Sequence, residues 1–233
     1  MLKAHPLADL FPMMSPSEHA ELVADMRANG FRSGEEIVLL DGQILDGRNR
    51  YRAGLEAGVL AEDGSGWEFV QFSAGGIDGL LDSATIERGP LAFVLSKNLH
   101  RRHLNESQRA MVGARLATLQ HGGDRRADQA ANLPLENSAA SVPPISQATA
   151  ADTVNVSERL VRAAKVVQQQ ATPELKRAVN EGRLAVSAAA QAAHLPEETQ
   201  QRIAQEAEAG RANVVRTIIK KERRDAREVE LSE

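Results

Sequence analysis

The chain has 233 residues, 42% of them hydrophobic and 26% charged, and it has no cysteine. That balance suits a globular protein with one large or two modest cores, and it excludes disulfides, thiolate metal sites and a cysteine nucleophile. No apolar run nears eighteen residues and the start is not leader-like, so a cytoplasmic protein with no membrane span is expected. The net charge of −4 is uneven: seven basic and fifteen acidic residues up to Leu95 leave −8 there and +4 in the remainder. Between Lys97 and Arg126, seven basic residues accompany only Glu106 and Asp124, which points to a polyanionic partner for the second half. Aromatic residues, at 3%, are too few for recognition by stacking.

In chain order, Ser15 or Ser17 is expected to cap a helix running to about Asn29, with Leu22, Val23 and Met26 on one face and Gly30 past its end. Ile37–Leu40, Asp41-Gly42 and Gln43–Leu45 read as a hairpin, because Asp-Gly between apolar runs tolerates the positive φ of a tight turn. The chain then passes Asp46-Gly47 into a helix, RNRYRAGLEA, closed by Gly58. Residues 67–72, WEFVQF, alternate as a strand does. From about Pro90 the pattern is helical. Asn105 and Gln108 form a capping box ahead of Val112, Leu116 and Leu119. Residues 123–144 lack periodicity and read as a linker or mobile loop, and the chain from Ile145 onward reads as short helices.

Three segments carry chemistry. QILDGRNRYRA runs from a strand through glycine into a helix whose first turns hold Arg48, Arg50 and Arg52. Free N–H groups and guanidinium forks make good anion chemistry there, while a solvated arginine-rich helix start explains the pattern equally well. In KNLHRRHLNESQRA, Arg101, Arg102 and Arg109 can reach phosphates and Asn98 can serve a metal-bound phosphate. His100 and His103 lack further ligands for a metal, so structural or solvated roles are expected for them.

The third segment, ISQATAADTVNVSERLVRAAKVV, predicts a helix from Ser146 to about Val154, a turn at Asn155 and a second helix capped by Ser157. Ala151 allows a close crossing, Val156 and Val161 pack inward, and Ser157, Glu158, Arg159, Arg162 and Lys165 project outward. This is the pattern of a DNA-binding helix-turn-helix, with Gln147 and Thr149 placed to meet phosphate.

Taken together, ILDGRNRYRA, KNLHRRHL and the helix-turn-helix with its following helices resemble the ParB family of partition proteins, in the shorter form found in plasmids, phages and integrative elements. The three blocks come in the family's order and span roughly Pro6 to Gln201. The resemblance implies an α/β domain of the ParB and sulfiredoxin type over 1–95, then a basic connecting segment at 96–122. The linker at 123–144, an all-α DNA-binding domain at 145–210 and a helical tail at 211–233 would follow. It also implies CTP and Mg²⁺ as ligands, with Gly47, Arg48, Arg50 and Arg52 cradling phosphates, Asn98 holding the metal and Arg101 meeting the triphosphate.

Double-stranded DNA is the implied macromolecular partner, and a homodimer the implied assembly. Lys97 stands where the family's second box opens with glutamate. An ammonium there repels a divalent cation, so weak Mg²⁺ binding and slow or absent hydrolysis are expected. No counterpart of the family's separate C-terminal dimerisation domain is expected. The tail stripe of Val214, Val215, Ile218 and Ile219 is expected to dock on the domain or on a second subunit. Two further readings stay open. One is a nucleotide-dependent kinase or nuclease on the same fold, and the other is a DNA-binding regulator that binds no nucleotide.

Overall fold

The computed structural model describes residues 1–72, 89–99, 104–118 and 145–230. It divides into two compact units, Met1–His103 and Leu104–Glu233. The division falls inside the expected connecting segment: residues up to 99 go with the first unit, and the helix after Asn105 goes with the second. The expected linker at 123–144 lies outside the described residues.

In the first unit, a short 3₁₀ turn at Ala8–Leu10 precedes α1 (Pro16–Asn29). Ser15 caps α1 through a full capping box with Glu18, and Pro16 opens it without losing a needed N–H. Strands β1 (Ile37–Leu40) and β2 (Gln43–Asp46) form the expected hairpin, with φ of 51° at Asp41 and 72° at Gly42. Helix α2 (Arg48–Ala57) follows directly, then β3 (Phe69–Gln71) and α3 (Gly89–Leu99).

The sheet order is β2-β1-β3, antiparallel in the hairpin and parallel between β1 and β3. Beyond β2, Ala4 adds a single parallel bridge to Ile44. Of the six residues expected to form the last strand, Phe69–Gln71 pair with β1, and the ladder is closed at its ends by the Glu68 carbonyl, which accepts from the Ile37 N–H, and the Phe72 N–H, which donates to the Leu39 carbonyl. Gly66, at φ 123°, and the turn after it hold Trp67 out of register, and its ring, 58% exposed, meets Phe31 edge-on.

Both faces of the hairpin are covered. Ile37, Leu39 and Ile44 form a buried cluster with Tyr51 of α2, whose hydroxyl accepts from the Leu2 N–H and donates to the Glu62 carbonyl. Val38 and Leu45, on alternate positions, are buried as well, and α3 packs against β2. Val23 and Met26 of α1 meet Ala53 of α2 in a further cluster.

In the second unit, α4 (Glu106–Thr118) is the central element, and it packs against each of the four helices that follow. These are α5 (Gln147–Thr153), α6 (Glu158–Gln170), α7 (Pro173–Asn180) and α8 (Val186–Ala192). Helices α9 (Glu197–Glu208) and α10 (Ala212–Glu230) complete the unit. Its core is rich in alanine and valine, which lets short helices approach closely. The buried Gln200 is fully used: it accepts from the Thr172 N–H and donates to the carbonyls of Ala193 and Leu195.

The tail helix docks on its own unit, against α8 and α9, with Val215, Ile218 and Ile219 buried. Val214, expected in the same stripe, is 40% exposed. One residue is a hundred-degree step around a helix, so it falls off the apolar face. Among the described residues, no helix is long and apolar enough to cross a membrane.

Candidate functional sites

The first candidate site is a small cleft in the first unit, lined by Ala8, Leu45, Asp46, Gly47, Arg48 and Asn98. Gly47 is the N-cap of α2 at φ 94°, and a Cβ there would stand 3.2 Å from the Ile37 side chain. Both the conformation and the space therefore demand glycine. Asp46, at the end of β2, is the hinge of the cleft. One of its oxygens accepts from Arg50 Nη2 at 2.9 Å, and the other accepts from Asn98 Nδ2 at 3.3 Å. Asn98 also donates to the Val94 carbonyl, 2.9 Å away. The two arginine- and asparagine-bearing segments, far apart in sequence, thus meet through a carboxylate that sequence reasoning did not assign to the site.

Arg48 turns the other way, donating to Asp9 and, at 2.7 Å, to the Phe11 carbonyl. Burial lowers the pKa of its guanidinium, while Asp9 acts in the opposite sense. Arg50 also donates to the Glu35 carbonyl. Asn49 is buried and accepts from the Met14 N–H. Arg52 is exposed and does not line the cleft. Lys97 sits with its Nζ 5.9 Å from the centre of the Phe93 ring, one turn back on α3, rather than among the lining residues. Arg101, Arg102, His100 and His103 lie outside the described residues.

The cleft has a free volume of about 10 Å³, roughly the space one water needs. Its carboxylate is already paired with Arg50, and Arg48 lies in the same wall. This donor set does not suit a divalent cation, which needs several oxygen ligands of net negative charge. Among the described residues there is also no group of three or more His, Asp or Glu placed to hold a metal. A phosphate would be attracted by the α2 N-terminus and the guanidinium groups. To reach them it must displace partners that the fold already supplies.

The second candidate site is the pair α5–α6. Ser146 caps α5 and Ser157 caps α6, each accepting a backbone N–H three residues on. Between them, Val154 closes α5, Asn155 takes φ 51°, and the Val156 N–H reaches back to the Ala151 carbonyl at 3.0 Å. Asparagine suits that left-handed position because its short side chain tolerates it. Ala150, Ala151, Val154, Val161 and Ala164 are buried, so the turn is held by its own core.

Helix α4 supports the pair from below. Gly113 carries no side chain where a Cβ would be 3.0 Å from Val154 Cγ2 and 3.2 Å from Val161 Cγ2. Arg109 Nη2 donates to the Asn155 carbonyl at the turn itself, at 3.5 Å. Sequence reasoning gives Arg109 a phosphate contact and gives Gly113 no role, whereas here both brace the turn. A glycine inside an otherwise helical run was the available signal.

The outward face of α6 holds Ser157, Glu158, Arg159 and Arg162, all exposed, with Lys165 half-buried. Arg162 faces Glu158 at 3.6 Å in a solvent-exposed pair. On α5, Gln147 is half-buried, and the Thr149 hydroxyl is engaged with Ser146 at 2.9 Å. No protein-family model matches the chain, and no curated protein matches it significantly.

Proposed function

We propose that the chain is a sequence-specific DNA-binding protein of ParB type, acting in partition of a plasmid or mobile element or in related transcriptional control. Helix α6 would enter the major groove of double-stranded DNA, with Arg159 and Arg162 reading base edges and Lys165, Gln147 and Thr149 meeting phosphates. The observation that carries this reading is the α5–α6 pair itself. It has a capped, tightly turned and internally packed geometry, and its charged face is left to solvent. Arginine on a rigid helix can donate two parallel hydrogen bonds to guanine, which a mobile loop does poorly.

In this reading the first unit takes a nucleoside triphosphate, CTP by resemblance, at Gly47, Arg50, Asn98 and Arg101. Entry of a triphosphate requires Arg50 to exchange Asp46 for phosphate oxygens and the cleft to widen. A regulator that binds DNA without nucleotide is favoured by one observation: Arg48 and Arg50 are both engaged within the fold.

Selection of binding sites from random duplexes, with and without CTP or ATP, tests both readings. An enriched sequence whose occupancy responds to one nucleotide supports the full proposal. An enriched sequence indifferent to nucleotide supports the second reading, and no enrichment overturns the DNA-reading role of α6. Isothermal titration with CTP, ATP and GTP, each with and without Mg²⁺, tests the cleft. Unchanged affinity in Arg50→Ala would remove the cleft from the nucleotide site.

A further inference from the structure

Helix α10 carries Arg216, Lys220, Arg223 and Arg224 on one stripe about 12 Å long, at 1.5 Å of rise per residue. The buried Val215, Ile218 and Ile219 anchor that helix to the unit, so the stripe stands on a fixed support rather than on a loose tail. Across from it lie the exposed Ser187 and Gln191 of α8, and the two helices enclose a groove of about 590 Å³. Four cations line the groove and no carboxylate does. Gln191 sets one of them in place: its Oε1 accepts from Arg223 Nη1 at 2.8 Å, while its Nε2 donates to the Ser187 carbonyl. Arg224 has Asp225 at 3.2 Å and Glu228 at 3.6 Å. Among the described residues, Arg216 and Lys220 make no ion pair.

We propose that the α8–α10 groove is a second, sequence-independent contact to duplex DNA, taking its phosphate backbone. The proposal rests on the DNA-binding reading for the choice of polyanion, while the groove's charge and shape stand apart from α6. Duplex DNA presents about one charge per 1.7 Å of axis, so a stripe of this length meets several phosphates at once. Guanidinium forks match phosphate oxygens, and contacts limited to phosphate carry no sequence information. Helix α8 packs against both α6 and α10, so the groove holds a set position relative to the recognition helix.

The test measures binding of a random-sequence duplex and of any selected site by fluorescence anisotropy, across a range of NaCl. The full-length wild type is compared with Arg216→Gln/Lys220→Gln/Arg223→Gln, with Arg159→Ala, and with Lys221→Gln on the same helix outside the groove. Thermal melts of each variant confirm that all are folded. If three phosphate contacts are removed, the slope of log affinity against log salt should flatten by about 2.7. The loss should be equal on both duplexes, with Lys221→Gln changing the slope by less than one contact's worth.

Loss in the groove variant together with loss of discrimination in Arg159→Ala supports both readings. Loss in the groove variant with no discrimination to lose supports the groove and sinks the α6 reading. A groove variant that keeps the wild-type slope overturns this proposal, whatever Arg159→Ala does, and would direct the search to an acidic protein partner.

Discussion

Arg50 in the first unit and Arg162 in the second each pair with a carboxylate four residues earlier, and the two pairs differ in almost every physical respect. Arg50 and Asp46 are 15% and 13% exposed and lie 2.9 Å apart, and each has a second partner. Arg162 and Glu158 are 66% and 50% exposed and 3.6 Å apart. The first pair is knitted into the fold, and breaking it strands a charge away from water. The second gains a few tenths of a kcal/mol and costs almost nothing to exchange for another anion. Two arginines so alike in sequence therefore differ in use: Arg50 holds chain segments together, while Arg162 keeps a guanidinium that solvent reaches.

The largest effect is expected at Asp46. Asp46→Ala should cost about 3 kcal/mol in urea unfolding, because it leaves the Arg50 guanidinium and the Asn98 amide without their shared acceptor. Asp46→Asn, which keeps an acceptor oxygen, should cost distinctly less. Equal and small losses in both variants would show that the link between the two segments is not structural.

The next effect lies under the α5–α6 pair. Gly113→Ala places a methyl against Val154 and Val161, an overpacking worth about 1–3 kcal/mol, offset in part by alanine's better helix propensity of about 1 kcal/mol. A thermal midpoint lowered by several degrees, with DNA affinity lowered alongside, is expected. A stabilised variant would mean that α4 and the pair can part without cost.

Arg159→Ala acts on the exposed face of α6. Its stability should stay within about 0.5 kcal/mol of wild type, while discrimination between the selected site and a random duplex falls by about 1–3 kcal/mol. Loss of stability with intact discrimination would reverse the roles assigned to the two units.

The smallest effect belongs to His5. Its Nδ1 accepts from the Leu7 N–H, and burial lowers its pKa below 6.5, against the pull of Asp41 and Asp9. The folded state therefore holds fewer protons on this ring than the unfolded chain does. Its contribution is present above pH 6.5 and is lost as pH falls through the lowered folded value. His5→Gln should flatten the decline of stability between pH 7 and 5, and an unchanged profile would exclude His5 as a source of that decline.

Much of the local structure was legible because its causes are local. The cap of α1, which falls on Ser15 of the two serines expected, the Asn105–Gln108 box, the Asp41-Gly42 turn, the left-handed Asn155 and the Ser146 and Ser157 caps each depend on interactions within a few residues. Such interactions follow from sequence spacing alone. The helix-turn-helix reading rested on these signals, and its elements lie within a residue or two of expectation.

What the sequence could not decide depended on partners far along the chain. Asp46 reads as the last residue of a strand, and only packing α3 against β2 brings Asn98, 52 residues later, to its second oxygen. Val214 and Val215 are chemically identical, and the angle at which α10 meets α8 and α9 buries one and exposes the other. Spacing along the chain determines capping, turns and the periodicity of a face. Which groups share a cleft, and which arginines remain free for a partner, is set by long-range packing, because burial and pairing are properties of what lies opposite.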